Sequence, residues 1–395
     1  METLPPEPAP LPPVPPSAHR QVLAAYDRIA EGGRPELLPT LRPFEDVLVE
    51  AKAVDVRVRA GESLPLVGLL AAVTGTLDLS DTAVRRLADA GAIVLGTTTS
   101  ATAVALGLTD LAIGTEMAAC EGTAVLTPTP GLVPRTVVAR SVADGQQALI
   151  AMTGPDPAWP AAVRLAVGER PKLAIAGEGP DAFRKAVDDL LAAGASVETI
   201  DSTELHGDHD ALLLPAGVAG PRGLPAVTVA GVTIVARPFE DQVVLDLAAY
   251  LNVEQLKNPY PATGIDLVVF GTHLRGQPLN AQLVALGARY RGQVLTSGRY
   301  RLYALPSSPP KPGVRPVTHG APLAGERWTI SPAGLGSLRA GLPGLTLAEI
   351  ELADGSTAAG FHCTARAAAK ARDITEFGDW RAYLRYLTAT RPMSC

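Results

Sequence analysis

Between Val67 and Leu251 the chain repeats one alternation, a short apolar run followed by a segment whose apolar residues recur at helical spacing. The apolar runs Val67–Val73, Ala92–Leu95, Leu111–Gly114, Leu173–Ala176, Asp210–Pro215 and Gly231–Ala236 are expected to be strands. The segments Asp81–Ala90, Ser100–Leu106, Asp181–Ala193 and Glu240–Leu251 are expected to be helices, with Gly194 suited to close the third. A parallel strand can reach its neighbour only through a crossover, so this alternation predicts an α/β fold with a mostly parallel sheet covered on both faces. Ahead of it, Val22, Tyr26, Ile29 and Ala30 share one helical face, and a second helix is expected over Phe44–Val58.

The breakers set the boundaries. Residues 1–17 hold so many prolines that neither a helix nor a ladder can form, which predicts a polyproline-like tail. Residues 18–255 then form one expected domain, 256–264 (Lys257-Asn-Pro-Tyr-Pro-Ala-Thr-Gly264) a linker, and 265–390 a second domain. A length of 395 residues is ample for two cores. The net charge of −6, with lysine and arginine scattered, argues against nucleic acid as a partner. The uncharged stretch between Asp89 and Asp110 is interrupted by Gly, Ser and Thr, which argues against a membrane span. Cys120, Cys363 and Cys395 are too few and too scattered for a disulfide framework or a zinc site. The first residues do not read as a signal peptide, so the cytoplasm is the expected location.

The stretch Gly114-Thr-Glu-Met-Ala-Ala-Cys120 is built like the tight small-residue turn that presents a nucleophile beneath backbone N–H groups. Cys120 holds the nucleophile position, although the flanking Glu116 and Glu121 disfavour a thiolate there. Leu64–Val73 and this turn resemble the amidase signature family. The resemblance implies a catalytic lysine directly after that strand, where this chain has Thr74. It also implies a Gly-Gly-Ser-Ser-type loop with a bridging serine, where this chain runs Thr97-Thr98-Thr99. The expectation is a degenerate amidase half, with Thr74 and Cys120 marking the retired site.

After the linker, Ile265–Gly271 reads as a buried strand, followed by Thr272-His273-Leu274-Arg275-Gly276-Gln277-Pro278-Leu279-Asn280 and a helix from Ala281. Arg299–Pro306, the loop Pro309-Pro-Lys-Pro-Gly313, the strand Glu326–Ile330, the hairpin turn Asp354-Gly355 and the closing segment Asp373–Leu384 complete the array. In this order they resemble the C-terminal domain of allophanate hydrolase over nearly all of 265–387. The amidase resemblance agrees, because full-length allophanate hydrolase joins the two. The fold implied is a truncated amidase-signature sheet with flanking helices, followed by a small α+β domain similar to the gamma-glutamyl cyclotransferases. The expected acid of the cyclotransferases is missing from Gly334–Leu342, so that activity is not carried over.

In that family the amidase half releases ammonia from allophanate, and the C-terminal half is held to decarboxylate the N-carboxylated carbamate that results. Such a step needs a held carboxylate and a proton for the departing nitrogen. His273 is the candidate catalytic group. Arg275 and the backbone of Gly271, Thr272 and Gly276 are candidate donors to the substrate, with Asn280, Tyr300 and Tyr303 as further hydrogen-bonding groups. No cofactor or metal is expected: His206-Gly-Asp208-His209-Asp210 reads as a solvated turn and His362-Cys363 as strand packing. The partner expected is a small carboxylated urea or carbamate-type substrate. A homodimer, and cooperation with an intact amidase or a urea carboxylase, stay open, as does a noncatalytic homologue serving as an interaction platform.

Overall fold

The computed structural model describes residues 17–154, 159–205, 207–256, 258–261, 264–307, 310–342 and 344–390. Residues 1–16 of the expected tail, and 257, 262 and 263 of the expected linker, lie outside the described residues. The chain divides into two compact units, 1–127 with 133–156, and 128–132 with 157–395.

The first unit opens with helix α1 (Ala18–Gly32), strand β1 (Thr40–Leu41) and helix α2 (Phe44–Arg59). Then come β2 (Leu70–Thr74), α3 (Thr82–Asp89), β3 (Ile93–Thr98), the short α4 (Thr102–Ala105) and β4 (Leu111–Gly114). β5 (Ala124–Thr127), β6 (Thr136–Ala139) and α5 (Val142–Thr153) complete it. The strands lie in the order β1-β3-β2-β4-β6-β5, and β2 runs parallel to both β3 and β4. Parallel strands buried on both faces read as unbroken apolar runs, which is why β2, β3 and β4 were legible. Val22 of α1 and Val47 and Val54 of α2 close over Leu70, Ile93 and Leu95 of the sheet. Each such side chain contributes about 1.5–3 kcal/mol when fully buried.

The second unit begins with β7 (Lys172–Ile175), α6 (Asp181–Ala192), β8 (Ser196–Thr199), β9 (Ala211–Pro215), β10 (Ala226–Val229), β11 (Val232–Val235) and α7 (Asp241–Leu251). Its strands order as β10-β11-β9-β7-β8. Gly194 does follow α6, at φ +100°. A second, mixed sheet contains β12 (Ile265–Val269), then after α8 (Asn280–Ala285) the strands β13 (Arg289–Leu295), β14 (Tyr300–Leu305), β15 (Lys311–Pro316) and β16 (Ala324–Ile330). Helix α9 (Pro332–Ala340), β17 (Leu345–Glu351), β18 (Thr357–Cys363), α10 (Ala365–Ala368), β19 (Arg372–Asp373) and α11 (Trp380–Thr390) follow. The order is β13-β16-β12-β18-β15-β14-β19, with β17 on β18. The segment expected to be a loop through Gly313 is thus strand from Lys311, paired along its length with β14. Pro312 is tolerated because β15 is in register with β18 only at Val314. Among the described residues no helix is long and apolar enough to cross a membrane.

One buried carboxylate fastens the segment 128–132 to α7. Asp241, 2% exposed, accepts from the Thr129 amide at 2.8 Å and the Thr129 hydroxyl at 2.6 Å. Burial holds its carboxyl above the usual carboxylate range, partly offset by these hydrogen bonds. Between the unfolded and the raised folded pKa the folded state binds more protons, so stability falls as pH rises through that window, and the cost is complete above it. Asp241→Asn should therefore be at least as stable as wild type at pH 7 and lose that fall. Urea denaturation at several pH values between 4 and 8 checks it; a variant clearly less stable at pH 7 would mean that the charge itself is needed.

Candidate functional site

The loop that leaves β12 is shaped by one residue. Gly271 takes φ +76°, and a Cβ there would overlap the Pro312 ring of β15. Only glycine fits such a position without strain. A 3-10 turn over Gly271–His273 follows, closed by the Leu274 amide on the Gly271 carbonyl at 3.0 Å. Glu326 of β16, 2% exposed, accepts from the Arg275 amide at 2.8 Å and from Arg381 of α11 at 2.7 Å. Arg381 also donates to the Arg275 carbonyl at 2.8 Å, so both backbone groups of Arg275 are pinned.

This turns His273 inward. It is 6% exposed, and its Nε2 lies 3.1 Å from Gln282 Oε1. With Gln282 Oε1 as assigned the contact pairs an acceptor with Nε2–H, an arrangement that leaves Nδ1 to exchange a proton. Burial pushes the imidazole below its ordinary range, the Gln282 hydrogen bond opposes this, and the Lys311 ammonium adds to it. His273, Thr272 and Lys311 line one cavity of about 60 Å³, closed by apolar residues such as Phe361 and Val314. Lys311 and Gln282 had no role in the sequence reading.

The other expected site residues do not join His273 at this cavity. Asn280 is buried, and its amide donates to the His273 carbonyl at 3.0 Å, so it shapes the loop. Arg275 has other partners, its Nε 2.9 Å from Glu169 and its guanidinium 4.7 Å over the Tyr290 ring. It lines a different cavity, with Arg289, Arg291 and Trp328. Gly276 has φ +76°, and a Cβ there would meet open space among the described residues. The Tyr300 hydroxyl accepts from the Glu351 amide at 2.9 Å. Tyr303 sits in β14 between Gly313 and Asp373 of the adjacent strands.

In the first unit, Thr74 and Thr98 are partners at the C-terminal ends of β2 and β3, and a Cβ on Gly114 of β4 would meet the Thr74 hydroxyl at 2.5 Å. The ends of three parallel strands are where an α/β sheet presents a site. The hydroxyls beside it are engaged with backbone, Thr98 on the Leu37 carbonyl at 2.9 Å and Thr99 on Glu36 at 3.0 Å. Cys120 is half-buried, its Sγ 3.6 Å from the Glu121 carbonyl.

His206 lies outside the described residues. Its neighbours are engaged elsewhere: Asp208 pairs with Lys172, Asp210 with Arg164 at 2.6 Å, and His209 with Glu198 at 3.0 Å. His362 stands 6.0 Å from the Tyr300 ring, and burial lowers its pKa.

Comparison with known proteins supplies the family context. Residues 265–385 match the family model of the allophanate hydrolase C-terminal domain. A urea amidolyase of Lachancea kluyveri is 31% identical over 211 residues, which cover 46% of this chain but only 11% of that protein. The chain therefore spans a small part of that relative's length. Allophanate hydrolase of Kluyveromyces lactis superposes with a TM-score of 0.74 at 20% identity, covering 94% of this chain and 97% of that one. Peptide amidase from Stenotrophomonas maltophilia superposes with a TM-score of 0.51 at 18% identity, over 62% of this chain and 95% of that one. At these identities the structural likeness is one of fold. Residues 265–385 thus carry the match to the allophanate hydrolase C-terminal domain that the sequence suggested, within a chain that has the α/β fold of allophanate hydrolase.

Proposed function

We propose that the C-terminal domain acts on a small carboxylated urea or carbamate-type compound at the His273 cavity, and that the amidase half no longer hydrolyses amides. The carrying observation is the placement of His273 in one cavity with the Lys311 ammonium. Lys311 attracts a carboxylate, and His273 Nδ1 delivers a proton. When the C–N bond of an N-carboxylated carbamate breaks, its electron pair stays on nitrogen, which takes that proton as carbon dioxide leaves. For the first unit, the support is chemical. Thr74 stands where a base is needed, and a hydroxyl cannot serve as one near neutral pH. The Thr98 and Thr99 hydroxyls are already spent on carbonyls.

Two observations favour the platform reading instead. The cavity of about 60 Å³ holds only a few waters, so a substrate must displace the Lys311 side chain or the loop. Asn280 is also spent on the loop's own carbonyl.

The test mixes the purified chain with an amidase domain that converts allophanate to the unstable product, and follows ammonia and carbon dioxide separately. The chain alone should release no ammonia above the buffer rate and should accelerate carbon dioxide release in the mixture. Ammonia release abolished by Cys120→Ala would overturn the amidase half of the proposal. No acceleration of carbon dioxide release would leave the platform reading.

A further inference from the structure

The second unit holds a larger cavity, of about 630 Å³, within the size range of small-molecule sites. Its walls carry three arginines, Arg275, Arg289 and Arg291, against two carboxylates, Glu169 and Asp246. Arg289 is committed: its Nη1 reaches Asp246 at 2.8 Å, and its Nη2 donates to the Leu256 carbonyl at 2.7 Å. Arg275 is held differently. Tyr290 supports one face of its guanidinium, and its Nε and Nη2 both reach Oε1 of Glu169 at 2.9 Å. Both side chains of that pair are about half exposed, 48% and 58%, so the pair itself is worth little and opens readily.

We infer that this cavity is a second ligand site, taking a small dicarboxylate, one end of which replaces the Glu169 carboxylate on Arg275. The contact with Glu169, itself a wall residue, shows that the guanidinium over Tyr290 already presents its donors to a carboxylate. The walls carry three arginines against two carboxylates, which favours a ligand with two negative charges over a neutral one. The site is independent of the His273 reading, since the two cavities share no wall residue.

The experiment titrates the full chain with succinate by calorimetry, with neutral succinamide as the control. Wild type should bind succinate saturably and succinamide not at all. Arg275→Gln should weaken binding by about tenfold or more, the worth of a charge-assisted hydrogen bond. Glu169→Gln, which removes the internal competitor, should tighten it several-fold, a gain that a misfolded variant does not give. His273→Asn should leave it unchanged, which separates this site from the proposed decarboxylation. Equal binding of succinamide, wild-type affinity in Arg275→Gln, weakened binding in Glu169→Gln, or no saturable heat would each overturn the inference.

Discussion

Replacing Gly271 with alanine should destabilise the second unit by about 2–5 kcal/mol and remove the geometry of the His273 loop. Two costs add. A φ of +76° strains any residue with a Cβ, by about 1–2 kcal/mol. The new methyl would also overlap the Pro312 ring, 2.6 Å from its Cβ and 2.9 Å from its Cδ, and overpacking of this kind costs about 1–3 kcal/mol. Proline cannot swing aside as a flexible side chain does, and its strand is paired along its length with β14. Gly276 supplies the control within the same loop. It has the same φ of +76°, but a Cβ there would meet nothing within 4 Å among the described residues beyond its chain neighbours, so Gly276→Ala should show the backbone cost alone, about 1–2 kcal/mol. Denaturation midpoints of the two variants measure the difference. Equal losses would mean that the loop yields and that Pro312 does not fix it.

Much of this architecture was legible because it is local. The apolar runs of β2, β3 and β4 and the periodic segments of α1, α2, α6 and α7 announce themselves within a dozen residues, and the turn at Asp354-Gly355 does the same. The position of His273 just after a buried strand was legible for the same reason. What escaped the sequence is pairing over distance. Glu169 lies 106 residues from Arg275, and nothing local shows that it claims the guanidinium expected to hold substrate. Thr98 and Thr99 are tied to carbonyls 61 and 63 residues away. Glu326 reaches the Arg275 amide across 51 residues. Lys311 was hidden by its neighbours, since a stretch of prolines reads as a loop until pairing with β14 makes it a strand. The lesson is specific to the site: candidate residues adjacent along the chain do not converge on one cavity, since His273 and Arg275 line different ones.

His273→Asn should lower the catalysed part of carbon dioxide release by about 10²–10⁴-fold, the usual worth of a positioned proton donor, while leaving the fold intact. Asparagine is polar and shorter than imidazole, so it fits the site but cannot gain and pass a proton. The pH profile separates this role from simple packing. In the proposed step the imidazolium is the active form, so the catalysed rate, after subtraction of the spontaneous reaction, should rise as pH falls. Burial and then the Lys311 charge disfavour the imidazolium, so the midpoint of that rise should lie below the ordinary histidine value of about 6.5. Lys311→Gln removes one of the two depressing influences. It should move the midpoint toward higher pH and at the same time weaken substrate binding, because the ammonium is also the cation offered to the carboxylate. A structural histidine would show neither change. A midpoint at or above 6.5 in wild type, or one that Lys311→Gln leaves in place, would sink the proton-donor role, and undiminished acceleration by His273→Asn would remove the residue from the reaction.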